Sequence, residues 1–240
     1  MNQCNPDGWG QDALSQIYNQ QDELLRTTFN LYRNDFIEFN KIENLFIRLK
    51  NQIKIGSLEN VSAFVFSHSY TAFVASIRLA AIGQRVESYM VGRGCLEEAI
   101  YAHEIHKSRA NMELWVSRHD NASARKNYKN HFRITSLMNS LPEIPLREAT
   151  KKLYETSIDM GAHPNPKMLH SSVSLAYEEG QPTLGINFPN IDEDHLPTTL
   201  KFCAQVGITM VKIGGLTFPE EFSQANLQAE VTQIASELAI

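Results

Sequence analysis

The longest uninterrupted helical pattern in the chain, at residues 14–53, sets the first limit on how it can fold. Apolar side chains recur there every three or four positions, and the segment contains neither glycine nor proline. One straight helix of this length would span about 60 Å at ~1.5 Å per residue, whereas a compact chain of this size has a radius of gyration of roughly 18 Å. Residues 1–55 therefore either break, near Arg33 to Asp35 or at Asn40, or project as a long helix that forms a homodimer with a second copy. The length argument favours the break.

Helical periodicity also dominates the rest of the chain. Further helices are predicted at 60–82, 86–107, 110–118, 121–140, 145–160, 194–213 and from 217 through 238. Alternating residues on both sides of a turn at 178–182 predict a small β-hairpin near residues 172–188. The predicted fold class is mainly α, an irregular multi-helix bundle with one hairpin. Because there is no internal repeat and no low-complexity linker, we expect a single helical domain over residues 1–240.

The composition limits which partners the protein is expected to bind and in which compartment it is expected. A net charge of −5 excludes a global positive field for nucleic acid, although a local basic patch stays open. No signal-peptide pattern and no run near the ~18 apolar residues of a membrane-spanning helix occur, so we expect no membrane partner. Three cysteines without a C-x-x-C pair favour a reducing, cytoplasmic location, with Cys95 and Cys203 buried as small hydrophobic residues.

Two opposite charges on the apolar side of the helix at 86–107 form the most informative polar feature. Arg93 and Glu97 fall within about 40° of the direction of Val86 on a helical wheel, together with Met90. Because burial of a lone charge is prohibitively costly, these two side chains should pair. The pair is either a clamp between helices, which we favour, or part of a buried polar pocket that binds a small polar ligand.

His68 joins the candidate ligand-binding residues through its position on the preceding helix. A lone histidine on an apolar face is more commonly a core residue whose ring N–H has a hydrogen-bond partner than a metal ligand or a catalytic base. His68 gains functional interest only if it meets Arg93 and Glu97 across the helix interface. The apolar face that it is expected to share consists of Val61, Phe64, Val65, Ala72 and Leu79.

The end of the helix at 145–160 presents further polar side chains on a constrained turn. Gly161 stops this helix, and the prolines at 164 and 166 prevent it from resuming. Asp159 lies in the last turn, where the helix dipole disfavours an anion, so a cation such as Arg93 or a lysine should compensate it. Alternatively, Asp159 and Asn165 only cap the turn through backbone hydrogen bonds. The candidate ligand-binding residues of this segment are Tyr154, Asp159, His163 and Asn165.

Three motifs carry a resemblance to known proteins. RGCLEEA (Arg93 to Ala99), the pair Trp115 and Arg118, and LYETSIDMGAHPN (Leu153 to Asn165) resemble a group of uncharacterised bacterial all-helical proteins. That group is loosely similar to HEPN-type helical domains, many of which are defence or toxin ribonucleases. The resemblance covers roughly residues 67–165. It implies a helical fold, a bacterial source and a link to stress or phage defence, but no established activity.

The HEPN ribonuclease signature is an arginine followed, after four to six residues, by a histidine. Arg125 and His131 match it, and in that chemistry the histidine handles a proton while the arginine stabilises phosphoryl charge. The chain has 11 Arg and 8 His in 240 residues, so about one such match is expected by chance. Its neighbourhood is more informative, because basic and aromatic residues cluster there. A basic helix face that is simply solvated is the interpretation we favour for this cluster over a binding surface. That cluster consists of Arg118, His119, Arg125, Lys126, Tyr128, Lys129, His131, Phe132 and Arg133.

No cofactor is predicted. His103 and His106 have a spacing that can chelate a metal, but no His-Glu-x-x-His motif or cysteine cluster accompanies them, so we assign no metal site.

Two hypotheses follow for the function. The first is a non-enzymatic binding or assembly module that uses the Arg93 pocket or the N-terminal helix. The alternative is a metal-independent ribonuclease of the HEPN type, acting on RNA through Arg125 and His131.

Overall fold

A computed structural model describes residues 5–54, 59–162, 173–178, 181–186 and 194–240, and this part of the chain is mainly helical. The antiparallel hairpin pairs Val173 with Ile186 and Glu178 with Gln181 at its two ends. The predicted multi-helix bundle with a small hairpin is therefore confirmed. In chain order the elements are α1 (Ala13–Leu31), α2 (Arg33–Gln52), α3 (Glu59–Ala81), α4 (Arg85–His106), α5 (Arg109–Val116), a 3-10 turn (Ser117–His119), α6 (Ala122–His131), α7 (Ile134–Asn139), α8 (Ile144–Ser157), a π turn (Ile158–Ala162), β1 (Val173–Glu178), β2 (Gln181–Ile186), α9 (Leu196–Thr217), α10 (Pro219–Gln224) and α11 (Gln228–Glu237).

The long N-terminal segment breaks at Tyr32, which separates α1 from α2 with non-helical dihedral angles (φ −113, ψ 42). This confirms the predicted break. Edge-to-face packing of Phe29 on Phe36, with ring centroids 5.0 Å apart, holds the two helices at the bend. Helix α1 is anchored by Thr28, whose Oγ1 donates to the carbonyl of Ala81 at 2.8 Å. A homodimer through this helix stays a prediction.

Helix α9 lies at the centre of the core. Fifteen of its 22 residues are buried, so it is covered on every side rather than along one stripe. Phe66 and Phe73 of α3 pack directly on Gly214 and Gly207 of α9, where a Cβ atom would overlap the phenyl rings. The seven-residue spacing is the same on both helices but runs in opposite directions, so α3 and α9 are antiparallel.

Helix α3 contacts α4 through a face that carries serines. Ser62, Ser69 and Ser76 are completely buried on this face. The hydroxyl groups of Ser69 and Ser76 donate to the carbonyls of Phe66 and Phe73, at 2.6 and 2.8 Å, so their polar atoms are satisfied inside the helix. Small side chains with satisfied hydroxyls allow the two helix backbones to approach closely.

The C-terminal region differs from its prediction. One helix was expected from Thr217 onward, but Thr217 instead ends α9, and its hydroxyl donates to the carbonyl of Ile213 at 2.7 Å. The expected helix is also interrupted between α10 and α11 at Asn226, which has a φ of 52°. Asparagine tolerates this left-handed conformation, which no continuous right-handed helix can contain.

Candidate functional site

Arg93 and Glu97 form an ion pair on α4, with Arg93 Nε 3.1 Å from Glu97 Oε1. The predicted pairing is confirmed. The side chains are 22% and 23% exposed, so they lie at the edge of the core and not at its centre. Met90, expected on the same apolar stripe, is 49% exposed. The apolar face of α4 that the sequence predicts is therefore not the face that is most deeply buried.

Tyr154 of α8 completes this pair. The guanidinium carbon of Arg93 lies 5.6 Å from the centre of the Tyr154 ring, within the range of a cation–π contact. Burial and the Glu97 carboxylate raise the pKa of Tyr154, while the charge of Arg93 opposes this change. The phenol therefore remains protonated at neutral pH and can donate a hydrogen bond. We refer to Arg93, Glu97 and Tyr154 as the Arg93 cluster; a ligand at this cluster stays a prediction.

Tyr101, one turn beyond Glu97 on α4, was not singled out by the sequence patterns. Its ring packs edge-to-face on Phe132, with centroids 5.9 Å apart. Burial raises its pKa, and so do Tyr128, which is hydrogen-bonded to it, and the neighbouring Glu97. Tyr101 thus connects the Arg93 cluster to α6. The four-residue spacing from Glu97 was the available signal, because it places both residues on one side of the helix.

The expected position of His68 is wrong. Its side chain is 70% exposed and does not lie among core residues. It does reach α4, where His68 Nδ1 is 2.8 Å from Glu98 Oε1. Burial raises the pKa of Glu98, and the contact with His68 counteracts that effect. The physical reason for the error is packing between helices. The buried side of α3 holds Ser69 and Ser76 together with Phe66 and Phe73, which pack on α9, so Phe64 and His68 face solvent.

The turn after α8 is only partly described. Asp159 lies exposed in the π turn, which follows the end of the regular helix at Ser157, earlier than the predicted end at 160. Gly161 has a φ of 132°, so no helical backbone continues through it. A Cβ atom at Gly161 would also stand 2.7 Å from Val86 Cγ1. His163 and Asn165 lie outside the described residues. Of the predicted ligand-binding residues, the structure brings together Arg93, Glu97 and Tyr154.

Arg125 and His131 both belong to α6. Six residues along a helix correspond to a rotation of about 120° away from each other, so the two side chains leave the helix in different directions. Arg125 is exposed. His131 Nε2 lies 2.9 Å from Glu104 Oε1 and is thereby held against α4.

Glu104 is a buried carboxylate that joins three elements. Besides His131, it pairs with Lys107 at 2.7 Å and accepts a hydrogen bond from Asn111 Nδ2 at 3.0 Å. Burial acts to raise the pKa of Glu104, but hydrogen bonds and charges from Lys107 and His131 outweigh burial and lower it. Glu104 therefore remains ionised at neutral pH and fixes the orientation of the His131 ring.

A surface rich in cations and aromatic rings covers α5, the 3-10 turn and α6. Arg118 lies over the Trp115 ring at 3.9 Å and is 5.9 Å from the Tyr128 ring. Arg125, Lys126 and Lys129 are exposed, and none has a carboxylate of the described chain within ion-pair distance. We call this the basic–aromatic surface, and it consists of Trp115, Arg118, Arg125, Lys126, Tyr128 and Lys129.

The two histidines considered for metal binding each contact a hydroxyl group. His103 Nδ1 is 3.3 Å from Thr217 Oγ1, and His106 Nδ1 is 3.2 Å from Ser62 Oγ. Burial lowers the pKa of His103 to about 4, so this imidazole is neutral at neutral pH. In the described ranges, no group of three or more histidine, cysteine, aspartate or glutamate side chains is arranged to hold a metal ion.

Comparison with known proteins finds no match to this chain. No family model, no curated protein and no solved structure matches the chain. Among the helices of the described residues, none combines the length and the apolar character that crossing a bilayer requires.

Proposed function

We propose that the chain is a binding module that holds a single-stranded nucleic acid on its basic–aromatic surface. The observation that carries this proposal is the placement of exposed cations, which have no acidic partner among the described residues, next to aromatic rings that already stack with an arginine. Proteins that bind single strands combine these two features, since cations follow the phosphates and rings stack with the bases.

Local charge supports the proposal. Residues 109–133 contain six arginines and lysines but only two acidic residues, Glu113 and Asp120. This segment therefore carries a net charge of +4 in a chain whose total is −5, which leaves −9 for the remainder. Phosphates would be attracted to this one surface and repelled elsewhere, so binding would be confined to it.

Partly exposed rings supply the second requirement. Trp115 and Tyr128 are both partly exposed, and Tyr128 stacks on Phe132 with centroids 5.1 Å apart. Tyr128 also adjoins Tyr101, which links the surface to the Arg93 cluster. A strand that follows α6 would thus reach a second arginine, Arg93, and a second partly exposed tyrosine ring, that of Tyr154. This arrangement favours a strand of several nucleotides over a single small ligand.

Binding can be measured by fluorescence anisotropy with labelled oligouridylate, and with oligothymidylate to compare RNA and DNA. We expect Arg125→Glu to weaken binding by about tenfold, since it reverses one exposed charge on the surface. Arg26→Glu is the matched control, because Arg26 is likewise an exposed arginine of a helix, on α1. Equal affinities for wild type and Arg125→Glu, or equal losses in both variants, would contradict the proposal.

Metal-independent RNA cleavage is the second candidate, and the contact between His131 and Glu104 favours it. The carboxylate orients an imidazole that is 39% exposed beside the basic–aromatic surface, as a general acid or base requires. The test is incubation of the protein with RNA in the presence of a metal chelator. Cleavage that disappears in His131→Gln and persists in Arg26→Glu supports this activity, whereas binding without cleavage leaves the chain a binding module.

A further inference from the structure

Helix α1 exposes apolar side chains and buries polar ones. Its buried residues are all polar: Ser15, Gln21 and Thr28. Leu14 and Tyr18, in contrast, are 57% and 45% exposed. Of the 14 large apolar side chains that are exposed in the described chain, five lie within residues 9–31. A helix that packs only on its own bundle shows the opposite pattern, so the described chain does not cover the apolar side of α1.

The apolar side chains of α1 form one continuous stripe. Leu14, Tyr18, Leu25 and Phe29 follow one another at spacings of four, seven and four residues, which places them within about 60° on a helical wheel. Leu25 is half-buried, and Phe29 is 36% exposed. The Trp9 ring stacks on Tyr18 with centroids 6.1 Å apart and extends the apolar surface beyond the start of the helix. We call the four helical residues the α1 stripe.

The α1 stripe is complementary to a second copy of itself. Leu14 and Phe29 lie at equal distances from the midpoint of residues 21–22, and so do Tyr18 and Leu25. A two-fold axis at that midpoint therefore places Leu14 opposite Phe29 of an antiparallel copy, and Tyr18 opposite its Leu25. Every contact then occurs twice, as in the isologous interfaces of symmetric dimers.

The charges at the two ends of α1 favour the antiparallel arrangement. Asp7 and Asp12 lie at the N-terminal end, Arg26 and Arg33 lie toward the C-terminal end, and all four are exposed. An antiparallel pair brings each acidic end to the basic end of the other copy and opposes the two helix dipoles, whereas a parallel pair brings like charges together. Residues 5–33 contain four acidic and two basic side chains, and this net charge of −2 disfavours an anionic lipid surface as the occupant.

We infer that α1 pairs antiparallel with α1 of a second copy through the α1 stripe, so that the chain forms a homodimer. The helix has 19 residues and is about 28 Å long. An interface made by one face of such a helix is small, so the dimer should dissociate in the micromolar range. The α1 stripe shares no residue with the basic–aromatic surface, and the inference is therefore independent of the proposed nucleic-acid binding.

Sedimentation equilibrium of the full chain tests the dimer. The average mass should rise from that of a monomer to that of a dimer as the protein concentration increases. Leu14→Glu should raise the dissociation constant about a hundredfold, because it removes apolar burial at two places in each dimer. Phe64→Glu is the matched control, since Phe64 is 61% exposed on α3, outside the α1 stripe, and this variant should keep the wild-type affinity.

Two results of this experiment would overturn the inference. One is a monomer at every concentration, and flotation of that monomer with vesicles of phosphatidylcholine and phosphatidylglycerol would assign the α1 stripe to a lipid surface instead. The other is an equal loss of affinity in Leu14→Glu and Phe64→Glu, which would place the contact outside the α1 stripe.

Cysteine cross-linking tests the orientation, in a Cys4→Ser background because Cys95 and Cys203 are buried. Asp22→Cys places a thiol at an exposed position beside the proposed axis and should give a disulfide-linked dimer under mild oxidation. Leu14→Cys should not, because its two copies would lie about 22 Å apart along the helices, far beyond disulfide reach. Cross-linking of Leu14→Cys, or none of Asp22→Cys, would contradict the antiparallel pair.

Discussion

Arg93 and Glu97 pair across one turn of α4, and the Tyr154 ring of α8 lies beside the guanidinium. The pair is protected from solvent on the side of α8 but is still about a quarter exposed. Its contribution to stability should therefore exceed that of a fully exposed pair and remain well below that of a buried one.

A double-mutant cycle measures that contribution. Combining Arg93→Met with Glu97→Gln should give a coupling free energy of about 0.5–1 kcal/mol from urea unfolding. Arg109 and Glu113 provide the control, because they have the same four-residue spacing and an Nε–Oε1 distance of 2.7 Å but are 73% and 58% exposed. Their coupling should be smaller. Equal coupling in the two pairs would show that the contact with α8 adds nothing.

His103 gives the fold a specific dependence on pH. Burial lowers its pKa from 6.5 to about 4, so the unfolded chain binds a proton at a higher pH than the folded chain does. The free energy of unfolding should therefore fall as the pH decreases from 6.5 toward 4. His103→Gln should lose less stability than wild type between neutral pH and about pH 5, measured by urea unfolding at each pH. The exposed His119→Gln should behave as wild type, and identical profiles for all three proteins would refute this role.

Two glycines on α4 should respond oppositely to the same substitution. A Cβ atom at Gly92 would stand 2.7 Å from Phe202 Cε1, whereas one at Gly94 would meet nothing within 4 Å. Gly92→Ala should destabilise the protein by about 1–3 kcal/mol through overpacking. Gly94→Ala should stabilise it by about 0.5–1 kcal/mol, because alanine loses less conformational entropy in a helix. Thermal unfolding checks both, and a change of the same sign would contradict the packing described here.

The sequence was sufficient where the deciding interactions are local. The ion pair of Arg93 and Glu97 follows from a four-residue spacing on one helix. The length of the N-terminal segment predicts that it breaks, but the break is at Tyr32, next to the predicted Arg33 to Asp35 and not at Asn40. The hairpin follows from alternation around a turn. The ion pair and the hairpin depend on neighbours in the chain, so periodicity was enough to predict them, whereas the break was predicted from the length of the segment.

Predictions from the sequence were wrong or missing for the features that packing between helices determines. The expected inward face of α3 carried Phe64 and His68, and both are exposed. The face that is buried carries Ser69 and Ser76 beside Phe66 and Phe73, which pack on α9. His68 was misplaced for that reason. The contact of Arg93 with Tyr154, 61 residues later in the chain, depends on where α8 packs, which no local pattern encodes. The same holds for the link between Tyr101 and Tyr128.

The salt dependence of oligouridylate binding tests the proposed nucleic-acid surface most directly. If Arg125, Lys126 and Lys129 contact phosphates, the logarithm of the affinity should fall linearly with the logarithm of the salt concentration, with a slope of about −2 to −3. Arg125→Glu should make that slope shallower by about 1, while Arg26→Glu should leave it unchanged. An affinity that does not depend on salt, or one whose slope is the same in Arg125→Glu as in wild type, would contradict the proposed surface.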